Sequence, residues 1–346
     1  MAGRRTQKKT KKKGCLLPIL ASVLVLFAVL FLIYHFTRPQ SEDGGGSQVT
    51  SPSDAVTTTA EAPTTTTATT IGTVDNIPVS SAITASGVVL FDSTHNTVLY
   101  SVNADSRCYP ASLTKLMTAA VASRYCSSET VFTVGSEISL VQFGSSLAHL
   151  EQGQQLNFSA MLDALLLPSG NDAAYVIAAR VGRLASGDES LDDTAAVSYF
   201  CDLMNDTAQE IGAVNTHFAN PDGFHDDNHY TTAMDMALIS RYALTFPNIR
   251  LTVSKPAASD LLVSGEAAPA WQNSNSLIKV SSSFYYPYAN GLKTGFTDEA
   301  GYCLAASAQK DGVELIAITM NSPEPNDRWT NSIALFDAGF SYLTEK

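Results

Sequence analysis

Between Cys15 and Phe36 the chain has no Asp, Glu, Lys or Arg. Its first 38 residues contain no acid at all, but eight basic side chains: Arg4, Arg5, Lys8, Lys9, Lys11, Lys12, Lys13 and Arg38. An uncharged run of this kind reaches ~33 Å as a helix, enough to cross a bilayer. No small-x-small site follows it, which argues against a cleaved signal peptide. Basic residues are scarce in the remainder. After Arg38, 13 basic side chains face 33 acidic ones, a net charge of −20. Such a surface excludes nucleic acid and anionic lipid head groups as natural partners. The histidines His149, His217, His225 and His229 have no metal spacing, and no Gly-x-Ser-x-Gly elbow supports a Ser-His-Asp hydrolase. Beyond Cys15 there are four cysteines, Cys108, Cys126, Cys201 and Cys303, with no zinc spacing. Their even number suits an oxidising compartment, with the pairing left open.

What is present falls into four expected parts. Residues 1–14 form a basic cytoplasmic tail and residues 15–36 a single-pass membrane anchor, oriented by the basic flank. Residues 37–83, rich in Thr and Ser with Gly44, Gly45 and Gly46, form a flexible stalk. Residues 84–346 form an extracellular globular domain. Its strand signals lie at both ends, Gly87–Phe91 and Val98–Tyr100 early, Tyr286–Phe296, Tyr302–Ala308 and Val313–Met320 late. Helical periodicity dominates between them, at Phe158–Leu167, Ala173–Val181, Ser198–Ile211 and Thr232–Leu244. A closing amphipathic helix follows at Asp327–Tyr342. The pattern predicts an α+β fold, with an antiparallel sheet flanked by helices and an inserted helical lobe. The ligand site then lies in the cleft between lobes.

Three motifs carry the chemistry. Pro110-Ala111-Ser112-Leu113-Thr114-Lys115 opens a helix whose buried face is Leu113, Leu116, Met117 and Ala120. Ser112 and Lys115, three apart, share one helix face, a nucleophile beside an amine that serves as base once neutral. Ser276/Lys279 and Ser307/Lys310 have the same spacing without this context. Ser169-Gly170-Asn171 follows Pro168 in a tight interhelical turn. Lys293-Thr294-Gly295, followed by Phe296, lies on a strand whose alternation puts Lys293 and Gly295 on one face and Thr294 on the other. Asp222, Asp226 and Asp227 read as a solvated loop, and the histidines as loop or core residues.

Taken in order, the three motifs resemble the serine penicillin-binding proteins and β-lactamases. The forms Ala111–Lys115, Ser169–Ala174, Asn220–Phe224 and Gly291–Thr297 are most similar to the low-molecular-weight D-alanyl-D-alanine carboxypeptidases. The resemblance covers about residues 84–345. It implies that Ser112 attacks the penultimate D-alanine carbonyl of a peptidoglycan stem peptide and forms an acyl-enzyme that β-lactam antibiotics trap. It further implies Lys115 as general base, Ser169 as proton relay and Asn171 as a ligand of the substrate amide. Lys293 and Thr294 bind the terminal carboxylate, and Lys293 keeps Lys115 neutral. Gly295 lets the substrate lie along the strand, and the N–H groups of Ser112 and Phe296 form the oxyanion hole. No cofactor or metal is implied. A β-lactamase needs a deacylating glutamate; Glu210 is the one acid in roughly the right region, and its surroundings do not fit. Other rivals are an endopeptidase or transpeptidase of the same fold, and a non-catalytic wall-binding relative.

Overall fold

Side-chain alternation along the strands feeds two separate cores, one on each face of a single sheet. The structure, a computed structural model, describes residues 70–345. The expected tail, membrane anchor and most of the stalk lie outside the described residues. Among the described residues no helix is long and apolar enough to cross a membrane.

In chain order, β1 (Gly72–Thr73), β2 (Gly87–Asp92) and β3 (Thr97–Val102) come first. A 3-10 turn (Ala111–Thr114) then leads into α1 (Lys115–Tyr125). The short strands β4 (Val131–Thr133) and β5 (Gln155–Asn157) pair with each other ahead of α2 (Phe158–Leu166). The helices α3 (Asn171–Ser186), α4 (Asp193–Glu210), α5 (Ala233–Leu244) and α6 (Pro247–Val253) complete the helical part. A two-residue pairing of β6 (Ala257–Ala258) with β7 (Trp271–Gln272) follows. The chain closes with β8 (Ala289–Thr297), β9 (Gly301–Lys310), β10 (Val313–Ser322) and α7 (Asp327–Thr344).

The six-stranded sheet has the order β1-β3-β2-β10-β9-β8. All its pairings are antiparallel except β1 with β3. Val88 and Leu90 of β2 join Leu304, Ala306, Leu315 and Ala317 in the core under α7, where Trp329, Leu335 and Phe336 pack. Val89 and Phe91 join Ala305, Ile316 and Ile318 in the larger core shared with the helices. The period of two thus sorts adjacent residues into different cores. Helix α1 is buried from Lys115 to Ser123 because the other helices, α2, α3, α4 and α5, surround it. Its alanines, Ala119, Ala120 and Ala122, fit that crowded position.

Caps set the helix starts. Asn157, Asp192 and Thr232 accept from the backbone N–H groups of Ala160, Ala195 and Asp235. Each such cap stabilises its helix by about 1 kcal/mol. Pro247 sits in the first turn of α6, where its missing N–H costs nothing.

The expected α+β plan, with helices between early and late strands, is the observed one. The domain boundary at residue 84 is too late, however. Gly72 and Thr73 pair with Thr97 and Val98. The N–H of Ile77 donates to the Leu99 carbonyl, and Asn76 exchanges two 2.9 Å hydrogen bonds with Ser101. Val74, Ile77, Val79 and Ile83 pack onto the core under α7. These four apolar residues, spread through a polar stretch, are what attach residues 72–83 to the sheet.

Candidate active site

The turn that carries Ser112 is built before the helix proper. Ala111 has φ +47°, a left-handed conformation that costs an alanine roughly 1–2 kcal/mol. A hydrogen-bond chain holds it. The Thr114 hydroxyl donates to the Ala111 carbonyl at 2.8 Å, and His229 Nε2 lies 2.7 Å from the same hydroxyl. The backbone N–H of Ala219 donates to His229 Nδ1 at 3.1 Å. Nδ1 is therefore the acceptor, and Nε2 carries the proton it gives to Thr114. Burial drives the His229 imidazole down to about 3, so it stays neutral. The expected core role of His229 is thus met in a specific form.

Ser112 and Lys115 meet as the spacing predicts, with Nζ 2.9 Å from Ser112 Oγ. Nζ also lies 2.8 Å from Asn171 Oδ1 and 2.6 Å from the Asp222 carbonyl oxygen. A neutral amine has two N–H donors and one lone pair. The two oxygens take the donors, which leaves the lone pair for the Ser112 hydroxyl. Burial holds the Lys115 amine down to about 8, against the opposing pull of Asp222 and Asp172.

The second motif closes the turn between α2 and α3. Ser169 takes a left-handed φ of +68°, and Gly170 N–H donates to the Ala164 carbonyl. A side chain at Gly170 would press on Ala148, the Ala164 carbonyl and Asp172. Ser169 is buried to 7% exposure, lines the cleft, and its Oγ has no hydrogen-bond partner among the described residues. Asn171 is likewise buried, on the first turn of α3. Asp172 next to it accepts from the N–H groups of Ala148, Leu150 and Ala173, which anchors the loop over the cleft.

The third motif lies on β8, at the edge of the sheet. Lys293 and Gly295 pair with Ala305 and Cys303, whose side chains face the helical core, while Thr294 pairs with Leu304 of the other core. The expected alternation holds. Lys293 Nζ is buried with the Thr294 carbonyl as its acceptor at 3.0 Å. Burial, then the charges of Lys115 and Arg328, lowers its pKa well below that of a free lysine. At Lys115 it is burial that lowers the pKa, against Asp222 and Asp172, so desolvation rather than Lys293 accounts for the shift. Thr294 Oγ1 lies 2.6 Å from Ser274 Oγ. A Cβ on Gly295 would sit 3.0 Å from the Pro110 carbonyl and 3.1 Å from Ala111 Cβ. Phe296 is half exposed, its ring stacked on Tyr302 at 4.5 Å.

All three motifs border one cleft of about 580 Å³, whose lining includes Ser112, Ser169, Asn171, Thr294, Gly295 and Phe296. Lys115 and Lys293 are buried behind this lining, Lys115 bonded to Ser112 and Asn171. The other two Ser-x-x-Lys pairs do not join it. Ser307 is buried on β9 against Asn290, and Lys310 lies over the Tyr288 ring. Ser276 belongs to an isolated 3-10 turn.

Several residues escaped the sequence reading. Arg328 on α7 lines the cleft, with Nη1 3.4 Å from the Gly295 carbonyl and a buried Nε without a partner among the described residues. Asp222, read as a solvated loop acid, is fully buried beside Asn171. The following Gly223 leaves room for the Ala111 carbonyl, a contact only a residue without Cβ permits, and its φ of +85° suits glycine as well. The Asn-Pro-Asp-Gly run carried that signal, but its partner lies over a hundred residues earlier. The four cysteines form no disulfide. Cys126, Cys201 and Cys303 are buried in the core, and Cys108 pairs across the backbone with Thr231. Glu210 makes a surface ion pair with Arg124, far from a deacylating role.

Known proteins share this sequence and fold. The model of the Peptidase S11 family, described as D-alanyl-D-alanine carboxypeptidase, matches residues 73–324. D-alanyl-D-alanine carboxypeptidase DacF of Bacillus subtilis (strain 168) is 33% identical over 264 residues, covering 74% of this chain and 62% of the relative. The D-alanyl-D-alanine carboxypeptidase of Streptomyces sp. (strain K15) is 31% identical over 267 residues, covering 75% of this chain and 88% of the relative. The crystal structure of the Streptomyces K15 DD-transpeptidase superposes with a TM-score of 0.69 at 30% identity, over 75% of this chain and 98% of that one. This chain therefore spans less than two thirds of the Bacillus relative and nearly all of the Streptomyces structure. With a match running from β1 to beyond β10, and the nucleophile, turn and strand motifs meeting in one cleft, the chain belongs to the Peptidase S11 family of D-alanyl-D-alanine carboxypeptidases, which are serine-type peptidases.

Proposed function

We propose that this protein removes the terminal D-alanine from peptidoglycan stem peptides through an acyl-enzyme on Ser112. The observation that carries the reading is the 2.9 Å approach of Lys115 Nζ to Ser112 Oγ, with the amine's other two neighbours both acceptors. Ser112 Oγ attacks the penultimate D-alanine carbonyl carbon as its proton passes to Lys115 Nζ. The N–H groups of Ser112 and Phe296 hold the resulting oxyanion. The peptide C–N bond then breaks as the Lys115 ammonium gives up its proton to Ser169, whose hydroxyl proton passes to the departing D-alanine amine. Water attacks the ester, and Ser112 regains its proton. Thr294, Lys293 and Arg328 supply the hydroxyl and positive charge for the terminal carboxylate. The second Nδ2 hydrogen of Asn171 is free for the substrate's peptide carbonyl. A β-lactam enters the same attack and stays as a stable ester.

Residues 15–36 tether this domain to the outside of the cell membrane, with residues 1–14 in the cytoplasm. That part rests on the uncharged run and its basic flank. A second reading, transfer of the acyl group to an amine rather than water, is favoured by the nearly full coverage of the Streptomyces K15 DD-transpeptidase.

The test is intact mass of the protein after benzylpenicillin, beside digestion of a peptide ending in D-Ala-D-Ala with and without an added amine. A stable adduct on Ser112 with D-alanine release into water supports the carboxypeptidase. An adduct with product only when the amine is present supports the transferase. Absence of any adduct and any product overturns both.

A further inference from the structure

Asp222 is a carboxylate sealed into the floor of the cleft, and no step above uses it. Its side chain is fully buried. Oδ1 accepts from the Phe224 N–H at 3.1 Å, and Oδ2 accepts from Asn171 Nδ2 at 2.5 Å. The same residue's carbonyl oxygen receives Lys115 Nζ at 2.6 Å. Asn171 spans the gap, its Nδ2 on Asp222 and its Oδ1 on Lys115. An asparagine amide can turn by half a rotation at little cost in shape, and with the opposite face it would aim N–H donors at the amine. Two donors facing each other in a dry site are strongly disfavoured. Burial pushes the Asp222 carboxyl up, against the opposing pull of Lys115 and the Phe224 N–H; its ionised form accepts and cannot donate, and so admits only one of the two orientations.

We propose that Asp222 is a positioning residue for the acyl transfer. It fixes the Asn171 amide with its oxygen toward Lys115, which turns the amine lone pair onto Ser112. The proposal rests on the reading of Ser112 and Lys115 as nucleophile and base. The charged groups around Lys115 are few: Asp222 from the loop, Asp172 from α3 and Lys293 from β8, with Arg328 of α7 behind Lys293. His229 next to them is neutral. Asp172 spends its oxygens on three backbone N–H groups, which leaves Asp222 as the anion bonded to the Lys115–Asn171 pair.

Two substitutions separate charge from placement. Asp222→Asn removes the anion and lets the amide of residue 171 turn. Asp222→Glu keeps the anion and displaces it. The readout is the second-order rate of acylation of the full chain by benzylpenicillin against pH, with thermal melts of each variant. In the Asn variant the plateau should fall by about tenfold or more, a part of what a general base supplies. Its acid limb should move to lower pH by about one unit, since the lost anion no longer favours the ammonium. In the Glu variant the plateau should fall while the limb stays. An Asn171→Ala background should absorb the plateau loss of Asp222→Asn, because the two then act through one bond. An unmoved limb in the Asn variant, or full additivity with Asn171→Ala, overturns the proposal. If the Asn variant fails to fold, an unchanged plateau in the Glu variant overturns it alone. Loss of acylation by wild-type chain at every pH would instead overturn the underlying reading of Ser112 and Lys115.

Discussion

Gly295 lies against the backbone of Ser112: a Cβ placed on it would stand 3.2 Å from the Ser112 nitrogen. The strand and the Ser112 turn therefore approach more closely than most side chains tolerate without a small shift. Gly295→Ala should displace the Ser112 N–H by a few tenths of an ångström, away from the place proposed for a substrate's carbonyl oxygen. Acylation by benzylpenicillin should slow by about 10–100-fold, as small misplacements of reacting groups do. The melting temperature should change little by comparison, because the added methyl lies at the edge of the sheet. A stopped-flow rate beside a thermal melt checks both.

Ser112→Ala should give no covalent adduct in intact-mass analysis. Lys115→Ala should still fold, since it removes a buried amine whose desolvation is costly. Its acylation should slow by roughly 10²–10⁴-fold, the contribution of a positioned general base. Near-wild-type acylation by the Lys115 variant would refute the role given to the amine.

The pH dependence follows from the Lys115 amine at about 8. Below that value the amine is protonated and cannot take the Ser112 proton. Acylation should therefore decline tenfold per pH unit on the acid side of pH 8 and level off above it. A profile flat from pH 6 to 9, the span that brackets this titration, would contradict the assignment.

His229 predicts acid sensitivity of the fold. Its folded pKa of about 3 lies below the value of 6.5 for an unconstrained histidine. Between those two values the unfolded chain binds the proton and the folded one does not. Stability should fall as pH drops through that window, by about 5 kcal/mol at its acid end. His229→Gln keeps a donor toward Thr114 and removes this titration, so its stability should depend less on pH from 6.5 to 3. Denaturant melts across that range measure the slope.

The cysteines should resist thiol reagents in the native state. Burial pushes Cys126 up to about 11 and Cys201 up to about 12, leaving little thiolate at neutral pH. A thiol titration should show almost no reaction until denaturant is added. Four thiols beyond residue 38 should then appear, in line with their unpaired state.

Local chemistry made much of this legible in advance. Ser112 and Lys115 are one helical turn apart, so helix geometry alone brings them together. Lys293 and Gly295 share a face by strand alternation. The early and late strands with helices between them gave the α+β plan. Where the reading fell short, distance in sequence was the reason. Asp222 sits in a run with Asp226 and Asp227 that looks like a wet loop, and only packing against Asn171 buries it. Arg328 lies in a helix that reads as a lid on the sheet, yet its guanidinium reaches the cleft. Residues 72–83 carry too few apolar side chains to signal a strand, and a parallel pairing of two residues leaves no periodicity to find.

The position of β1 has a mechanical consequence. It occupies one margin of the sheet and β8 occupies the other, five strand spacings away, or about 24 Å. Residue 70 therefore enters at the margin remote from the cleft. A pull applied there would load the two-residue pairing of β1 with β3 before it reached Lys293 at the opposite margin. That short pairing should peel first and leave the geometry around Ser112 intact.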